Sequence, residues 1–247
     1  MKISLVVIAK NEAEKISACI GSAADLVDEV LVVDSGSTDG TQALAESMGA
    51  RVVFRAFNGH IEQKNAAAQE AQNEWVLSLD ADEQLDERAR QEMQRLKAEG
   101  PSASAYGWNR LNHYGQQAIR HGAWYPDRKL RLWKKNAGSW QGQNPHDKWV
   151  PMASEKVVWL KGHILHFSFN GPQEHRKQAE RFAEIAAVAM HGQGRRSAWF
   201  RPYLHGGLRW VRDYLWLGGF LDGKAGWQIA GINAWEAFEK YRRLGKI

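Results

Sequence analysis

The N-terminal part of the chain alternates short apolar runs with amphipathic segments. Residues Ile3–Ala9 form a nearly continuous apolar run, which is typical of a strand that is covered on both faces. Similar runs predict three more strands at Glu29–Val33, Arg51–Phe54 and Trp75–Leu79. Because a polar or glycine-containing turn follows each run, we expect four buried strands in this part of the chain.

Helical spacing fills the stretches between these runs. Apolar residues recur at helical intervals from Ile16 to Ala23, and Asn11 with Glu14 resembles a capping box in front of them. A second predicted helix ends at Gly49, and a third covers Ile61–Gln72. Alternating strands and helices with short links predict an α/β fold, a mostly parallel sheet flanked by helices.

The pattern changes after the fourth strand. A polar helix is expected after Glu83, starting near Leu85 and running to about Lys97, and Gly100-Pro101-Ser102 ends it. Residues 106–169 hold six of the twelve tryptophans among short strand-like pieces, and helical periodicity returns after Pro172. These shifts predict one compact domain with three parts: 1–105, 106–170 and a helical C-terminal extension over 171–247.

Charge and cysteine content add to this picture. Of 33 Lys and Arg and 28 Asp and Glu, 13 and seven respectively lie in residues 171–247, so this part is basic. A basic, tryptophan-containing tail suits an anionic partner, either membrane lipid or nucleic acid; a solvated basic face is the alternative. The single Cys19 and an N-terminal apolar run without a cleavage site predict a cytoplasmic protein.

Polar residues cluster where the predicted strands end, which is where open parallel sheets bind ligands. Asp80 and Asp82 follow the buried fourth strand, and in an extended chain both carboxylates point to one side. Two oxygen donors there suit Mg²⁺ or Mn²⁺, whose shells water and diphosphate oxygens complete. The alternative is a solvated turn before the next helix.

Four motifs resemble the inverting family 2 glycosyltransferases of GT-A fold. They are SLVVIAKNE at 4–12, VVDSGSTDGT at 32–41, QKN at 63–65 and LDADE at 79–83. Segments 124–127 and 131–133, together with 219–224 and 238–241, are similar to one branch, the bacterial lipopolysaccharide-core enzymes that add glucose to an inner-core heptose. The resemblance implies a GT-A-like, Rossmann-like fold, with residues 1–105 as the nucleotide-sugar-binding half and 106–170 as the acceptor-side half.

The resemblance also implies a UDP-sugar donor and a divalent metal. The residues it assigns to the donor are Ala9, Asn11, Glu12, Asp34, Lys64, Asp80 and Ala81. Lys64 is expected to meet the diphosphate as a point charge; a solvated helix lysine is the alternative. The metal ligands are expected to be Asp82, Asp80 and His166, although a packed, hydrogen-bonded His166 is the commoner outcome.

An inverting transfer needs a base for the acceptor hydroxyl while the metal stabilises the leaving diphosphate. Asp147, in Asn144-Pro145-His146-Asp147, is the candidate base, and with Asp82 it forms the predicted catalytic set. Relatives have apolar-His-Glu here, so Pro145 and Asp147 depart from the pattern, and a turn role for Asp147 is the alternative. The acceptor contacts are expected at Tyr125, Asp127, Arg131 and His146, although the Trp-rich stretch equally suits a core.

Residues 199–220 carry two interpretations. As a helix, this segment places Leu204, Leu208, Val211 and Leu215 on one stripe. Arginines interrupt the apolar run too often for this helix to span a bilayer. Arginine and tryptophan together favour an interfacial helix at an anionic membrane surface, with Arg209 and Arg212 docking there; a helix packed on the catalytic domain is the alternative.

These expectations combine into one function. The chain is expected to transfer glucose from UDP-glucose, with inversion, to a lipid-linked saccharide, a heptose of the lipopolysaccharide core. It would act as a peripheral protein on the inner face of the bacterial inner membrane. The alternatives are another donor or acceptor (galactose, a protein or a polyprenyl-linked glycan) and a basic nucleic-acid-binding module, which the acidic strand ends disfavour. The sequence does not determine the oligomeric state.

Overall fold

A computed structural model describes residues 1–143 and 146–247, without the side chains of Gln143 and His146. In the described chain the strands are β1 (Ile3–Ala9), β2 (Glu29–Asp34), β3 (Arg51–Phe54), β4 (Trp75–Asp80), β5 (Glu83–Leu85), β6 (Ala105–Tyr114), β7 (Gln117–Ala118), β8 (Asp127–Lys134), β9 (Gly138–Gln143), β10 (His146–Pro151) and β11 (Val157–Phe169). The α-helices are α1 (Ile16–Gly21), α2 (Thr41–Ser47), α3 (His60–Glu70), α4 (Glu87–Glu99), α5 (Pro172–Gly192), α6 (Arg201–Trp210) and α7 (Gly223–Leu244). A π-helical turn, Val211–Trp216, extends α6.

Nine of the described strands form one sheet in the order β3-β2-β1-β4-β8-β6-β11-β5, with β7 beside β6. The first four run parallel, with Ala9 opposite Asp34 and Ile8 opposite Asp80, so their carboxyl ends share one edge. The β4–β8, β6–β8 and β5–β11 pairs are antiparallel. The predicted α/β fold, with a parallel sheet between helices and a helical C-terminal part, is confirmed.

The chain divides into two compact units. The first unit contains residues 1–110 and 127–166, and the second contains residues 111–126 and 167–247. The segment between Arg110 and Asp127 therefore groups with the C-terminal helices, a grouping without a local sequence signal. The division of the chain at 105 and 170 into donor and acceptor halves remains a prediction.

Both faces of the parallel strands are covered in the first unit. Ile3, Leu5 and Val7 of β1 pack in a core with α1 and α4, whereas Val6 packs in a second core on the opposite face. This two-sided burial explains why β1 is a continuous apolar run rather than an alternating one.

Most tryptophans of residues 106–169 are core residues. Trp108, Trp133, Trp140 and Trp149 are buried, and the rings of Trp133 and Trp149 stack with centroids 4.8 Å apart. Trp140 and Trp149 face each other in the separate β9–β10 hairpin. For these four residues the core interpretation is correct, and they do not offer aromatic faces to a ligand.

The second unit has its own small core. Tyr114 and Ile119 pack there against Ala225 and Ile229 of α7. In the described part of the chain, no helix is both long enough and apolar enough to cross a membrane.

Candidate active site at the edge of the parallel sheet

The loops that follow β1 and β2 are joined by hydrogen bonds. Asn11 has a left-handed backbone with φ of 57°, and its side chain accepts a hydrogen bond from the Thr38 amide at 2.9 Å. Its own amide donates to Ser37 Oγ at 2.8 Å. The expected capping box is therefore wrong, since α1 begins only at Ile16 and Asn11 serves a contact between loops.

Glu12 continues this contact between the two loops. Its amide donates to Thr41 Oγ1 at 2.8 Å. Burial raises the pKa of the Glu12 carboxyl, and the negative charges of Asp82, Asp39 and Asp80 add to this rise against the opposing charge of Lys15. Glu12 therefore lies within the electrostatic field of the acidic strand ends and adds to the negative charge there.

Asp34 lies beneath the loop that follows β2. Its carboxylate is buried and accepts hydrogen bonds from the amides of Gly36 and Ser37, both at 2.9 Å, and from the side chains of Ser37 and Gln42. Burial would raise the pKa of Asp34, but these hydrogen bonds lower it below its usual value. In this structure Asp34 shapes the loop from below.

A chain of ion pairs surrounds Asp80, the last residue of β4. Lys64 Nζ lies 2.9 Å from Asp80 Oδ1 and also 2.9 Å from Asp147 Oδ2, and it lies over the Trp140 ring. Arg131 Nη2 contacts the other Asp80 oxygen at 2.9 Å. Burial alone would raise the pKa of Asp80, but the charges of Lys64 and Arg131 hold it well below its usual value. Asp80 is therefore ionised and fixed on both sides.

Glu83, which sequence reasoning did not single out, supports this arrangement. Its carboxylate is fully buried and accepts hydrogen bonds from the Arg131 side chain at 2.6 Å and from the Asp80 amide at 3.1 Å. Burial opposes the Arg131 charge, but Glu83 and Asp80 raise the pKa of Arg131 above its usual value. Only 3% of the Arg131 side chain is exposed, so the structure places it with Asp80 and not on a surface that an acceptor can reach.

Asp82 points away from these cations toward a histidine. Its Oδ2 lies 3.3 Å from His166 Nε2, and about a quarter (24%) of the Asp82 side chain is exposed. No group of three or more His, Cys, Asp or Glu residues is arranged for a metal ion among the residues that the structure describes. Asp82 and His166 are thus brought together, whereas both Asp80 oxygens are occupied by Lys64 and Arg131.

A carboxylate beside an imidazole can hold part of the shell of a divalent ion. Neighbouring negative charge at Glu12 favours a cation there. The donor set therefore fits a divalent ion that also takes ligands from a bound substrate.

The other residues predicted for the site lie in several parts of the structure. Ala9 and Ala81 are buried at the ends of β1 and β4. Asp147 lies in β10, which excludes the turn interpretation, whereas the His146 side chain lies outside the described residues. Asp127 pairs with Arg110 at 2.8 Å and with Lys129 at 3.1 Å, and Tyr125 belongs to the second unit.

Residues 4–162 match the sequence model of Glycosyl transferase family 2. This matched segment includes Lys64, Asp80, Asp82 and Asp147. The chain belongs to this family. The predicted family, the family 2 glycosyltransferases, is therefore confirmed. The helices α5–α7 lie outside the matched segment of this family 2 glycosyltransferase.

Three bacterial proteins are similar in sequence to this chain. An uncharacterized glycosyltransferase of Rickettsia felis is 44% identical over 39% of this chain, which spans only about a third (34%) of that relative's length. A second one, of Rickettsia typhi, is 32% identical over 81% of this chain and 72% of that protein. The lipopolysaccharide core biosynthesis glycosyltransferase LpsC of Rhizobium meliloti is 26% identical over 98% of this chain and 93% of its own.

Solved structures are also similar to this chain. Glucosyl-3-phosphoglycerate synthase of Mycobacterium tuberculosis, in complex with Mn²⁺, UDP and glucosyl-3-phosphoglycerate, is 28% identical over 47% of this chain and 45% of that chain, with a TM-score of 0.36.

Proposed function

We propose that this chain transfers a hexose, glucose from UDP-glucose, with inversion to a lipid-linked saccharide. The observation that carries the proposal is the arrangement around Lys64, whose ammonium bridges Asp80 and Asp147 at 2.9 Å each, close to the end of β4. A transfer of this kind needs a cation for the departing diphosphate and a carboxylate for the acceptor hydroxyl. Lys64 and Asp147 are suitable for these two roles.

The donor is proposed to lie across the carboxyl ends of β1, β2 and β4. The loops after β1 and β2, held together through Asn11 and Glu12, are proposed to form one side of the donor site, and Asp34 holds the second loop through its hydrogen bonds. Ala9 and Ala81 are small and buried, so they leave room for a nucleoside. Asp80, held ionised by Lys64 and Arg131, is proposed to accept from a ribose hydroxyl.

Lys64 gives a physical link between donor binding and the base. A carboxylate that is paired with an ammonium is a weak proton acceptor, because the positive charge favours its ionised form. A bound diphosphate competes for the Lys64 ammonium. When Lys64 turns to the diphosphate, Asp147 loses its partner and becomes the base that takes the acceptor proton.

Asp82 and His166 are proposed to hold the divalent ion, with the remaining positions taken by diphosphate oxygens and water. The bound ion stabilises negative charge on the leaving diphosphate. Asp80 is proposed as a further ligand only when the donor has released it from Lys64.

The acceptor is proposed to be a heptose of the lipopolysaccharide core, with the enzyme working at the inner face of the bacterial inner membrane. The similarity to LpsC, a lipopolysaccharide core enzyme, over nearly the whole length of both chains supports this acceptor class. The Asp127 side chain is partly exposed (26%). Among the described residues of the first unit, we propose Asp127 for acceptor binding.

A donor panel tests the proposal. The protein is mixed with Mn²⁺, UDP-, GDP- and CMP-linked sugars and a soluble heptose-containing core saccharide, and nucleotide release is measured with and without the saccharide. We expect saccharide-dependent release of UDP from UDP-glucose, and none from GDP or CMP donors. Preference for UDP-galactose would replace the donor sugar, whereas no saccharide-dependent UDP release from any UDP-sugar would contradict the proposal.

A further inference from the structure

The segment that begins at Trp199 exposes a row of large apolar side chains. Leu204, Leu208, Val211 and Leu215 follow helical spacing along α6 and the π-helical turn, and each is about half exposed. Trp199 and Trp216, at the two ends of this row, are 84% and 86% exposed. We call these six residues the apolar ridge. Soluble domains seldom leave so much contiguous apolar surface in water without a binding role.

The opposite side of the same helix holds the second unit together. Pro202, Gly206 and Asp213 are buried. A Cβ added at Gly206 would lie 3.2 Å from Ala234 O and from Phe238 Cβ, so α6 approaches α7 closely on that side. The packing of α6 on α7 therefore uses another face, and the ridge is not needed to fill the core.

Positive charge flanks the ridge. Arg195, Arg196, Arg201 and Lys224 are exposed, and none of them forms an ion pair with another described residue. The acidic residues of this stretch, Asp213 and Asp222, are buried. The solvent-facing surface of residues 193–224 therefore combines apolar side chains with cations and presents no carboxylate.

Arg209 and Arg212, which the sequence suggested as docking residues, have a different role. Arg209 Nε lies 2.7 Å from Asp213 Oδ2, and Arg212 Nη2 lies 2.7 Å from Asp213 Oδ1. Asn233 of α7 also donates to Asp213, at 3.0 Å. Both arginines thus neutralise a buried carboxylate that joins α6 to α7, and replacing them with glutamate would disrupt this unit.

We propose that the apolar ridge is a docking surface for an anionic lipid bilayer. Leucine, valine and tryptophan side chains would enter the headgroup boundary while the four flanking cations contact lipid phosphates. A second copy of the chain suits this surface less well, because a two-fold interface would bring the same cations against each other. The proposal goes beyond the transfer reaction and does not depend on it.

Vesicle flotation without donor or acceptor tests the proposal. The full chain is mixed with vesicles of phosphatidylcholine alone, or with about 30% phosphatidylglycerol, at about 0.05 M and about 0.5 M salt. We expect binding to the anionic vesicles at low salt, and at least about tenfold weaker binding at high salt or without the anionic lipid.

Two variants identify the residues that dock. Trp199→Ser combined with Trp216→Ser should reduce the affinity for anionic vesicles at least about tenfold, as should Arg195→Ala combined with Arg196→Ala. The matched controls, Ile185→Ser with Val188→Ser and Lys177→Ala with Arg181→Ala, change exposed residues of α5 and should bind as the unmodified chain does. Transfer to a soluble saccharide should persist in every variant, which separates docking from catalysis.

A measurement on the unmodified chain guards against misfolding of a variant. Brominated lipids should quench tryptophan fluorescence, because Trp199 and Trp216 are the most exposed tryptophans and would enter the bilayer. The proposal is overturned if the unmodified chain fails to bind anionic vesicles at low salt or is not quenched. It is also overturned if the tryptophan variant binds normally, or if the ridge instead mediates a dimer that light scattering detects and this variant abolishes.

Discussion

Lys64 lies between two carboxylates that the proposed reaction uses differently. We propose Asp80 for the donor side and Asp147 for the acceptor side, and one ammonium contacts both at 2.9 Å. Arg131 also contacts Asp80, whereas Lys64 is the cation that contacts Asp147, so Asp147 is not free for chemistry until another anion attracts Lys64. This arrangement predicts that the donor binds before the acceptor is deprotonated.

Replacing Asp147 with Asn tests the base. The amide keeps the shape and one acceptor oxygen for Lys64 but cannot take a proton, so turnover should fall about 10²-fold or more. Affinity for UDP-sugar should change little. Steady-state kinetics and donor titration measure both quantities, with Glu87→Gln on an exposed position of α4 as the control. If donor affinity falls in step with turnover, Asp147 belongs to the donor site instead.

The buried contact between Arg131 and Glu83 is expected to stabilise the fold as well as the site. Arg131→Met leaves the Glu83 carboxylate buried beside an apolar chain, and breaking such a pair costs about 3 kcal/mol or more. Urea unfolding of Arg131→Met, Glu83→Gln and the double variant measures the free energy of unfolding. We expect the double variant to lose less than the sum of the single losses; strict additivity would mean that the two side chains are not coupled.

Glu83 shows why the sequence reveals only part of a site. The Asp-x-Asp pattern at 80 and 82 has a recognisable chemistry, whereas Glu83 lies between this pattern and the predicted polar helix and has no such pattern of its own. Its role depends on Arg131, which pairs with it across 48 positions of the chain. Side-chain pairs at such separation leave no local pattern.

At the scale of elements, the parallel strands could be predicted and the loops and antiparallel strands could not. The strand Ile3–Ala9 has the predicted bounds, because two-sided burial leaves a continuous apolar run. Asn11 was mistaken for a helix cap since its partner, Thr38, lies in another loop. The sequence predicts only short strand-like pieces where β6 and β11 lie, because their full length is defined by pairing with distant strands.

Two glycines of α7 provide a matched test of helix packing. A Cβ at Gly226 would lie 1.8 Å from the Gly219 carbonyl oxygen, whereas a Cβ at Gly231 meets nothing within 4 Å. Gly226→Ala should therefore lower the free energy of unfolding by about 1–3 kcal/mol, and Gly231→Ala should raise it by about 0.5–1 kcal/mol. Thermal and urea unfolding measure both; equal effects of the two substitutions would be inconsistent with this packing.

At the scale of the whole molecule, a buried histidine makes the core of the second unit sensitive to acid. His175 of α5 lies buried in the second unit against the rings of Tyr114, Trp124 and Phe169. Burial lowers the pKa of His175 to about 4 in the folded protein. In the unfolded chain it takes a proton near pH 6.5.

This difference predicts a pH dependence of unfolding. Above about pH 6.5 both states are neutral at His175, and below that pH only the unfolded chain takes the proton until about pH 4. The histidine should therefore remove about 3 kcal/mol from the free energy of unfolding as the pH falls from about 6.5 to about 4. His175→Phe should lose less stability over this range, as followed by urea unfolding. Parallel pH profiles for the two proteins would show that His175 does not titrate in this way.

We propose metal-dependent transfer from UDP-hexose at the strand ends that carry Asp82 and His166. The most direct test is saccharide-dependent UDP release by the unmodified chain with Mn²⁺, by the same protein in excess EDTA, and by Asp82→Ala with Glu87→Ala as the control. The Asp82 side chain is partly exposed, so its loss should leave folding intact. We predict that EDTA and Asp82→Ala each reduce release by about 10²-fold or more while Glu87→Ala is unaffected. Undiminished release in EDTA, or by folded Asp82→Ala, would contradict metal-dependent transfer at this site.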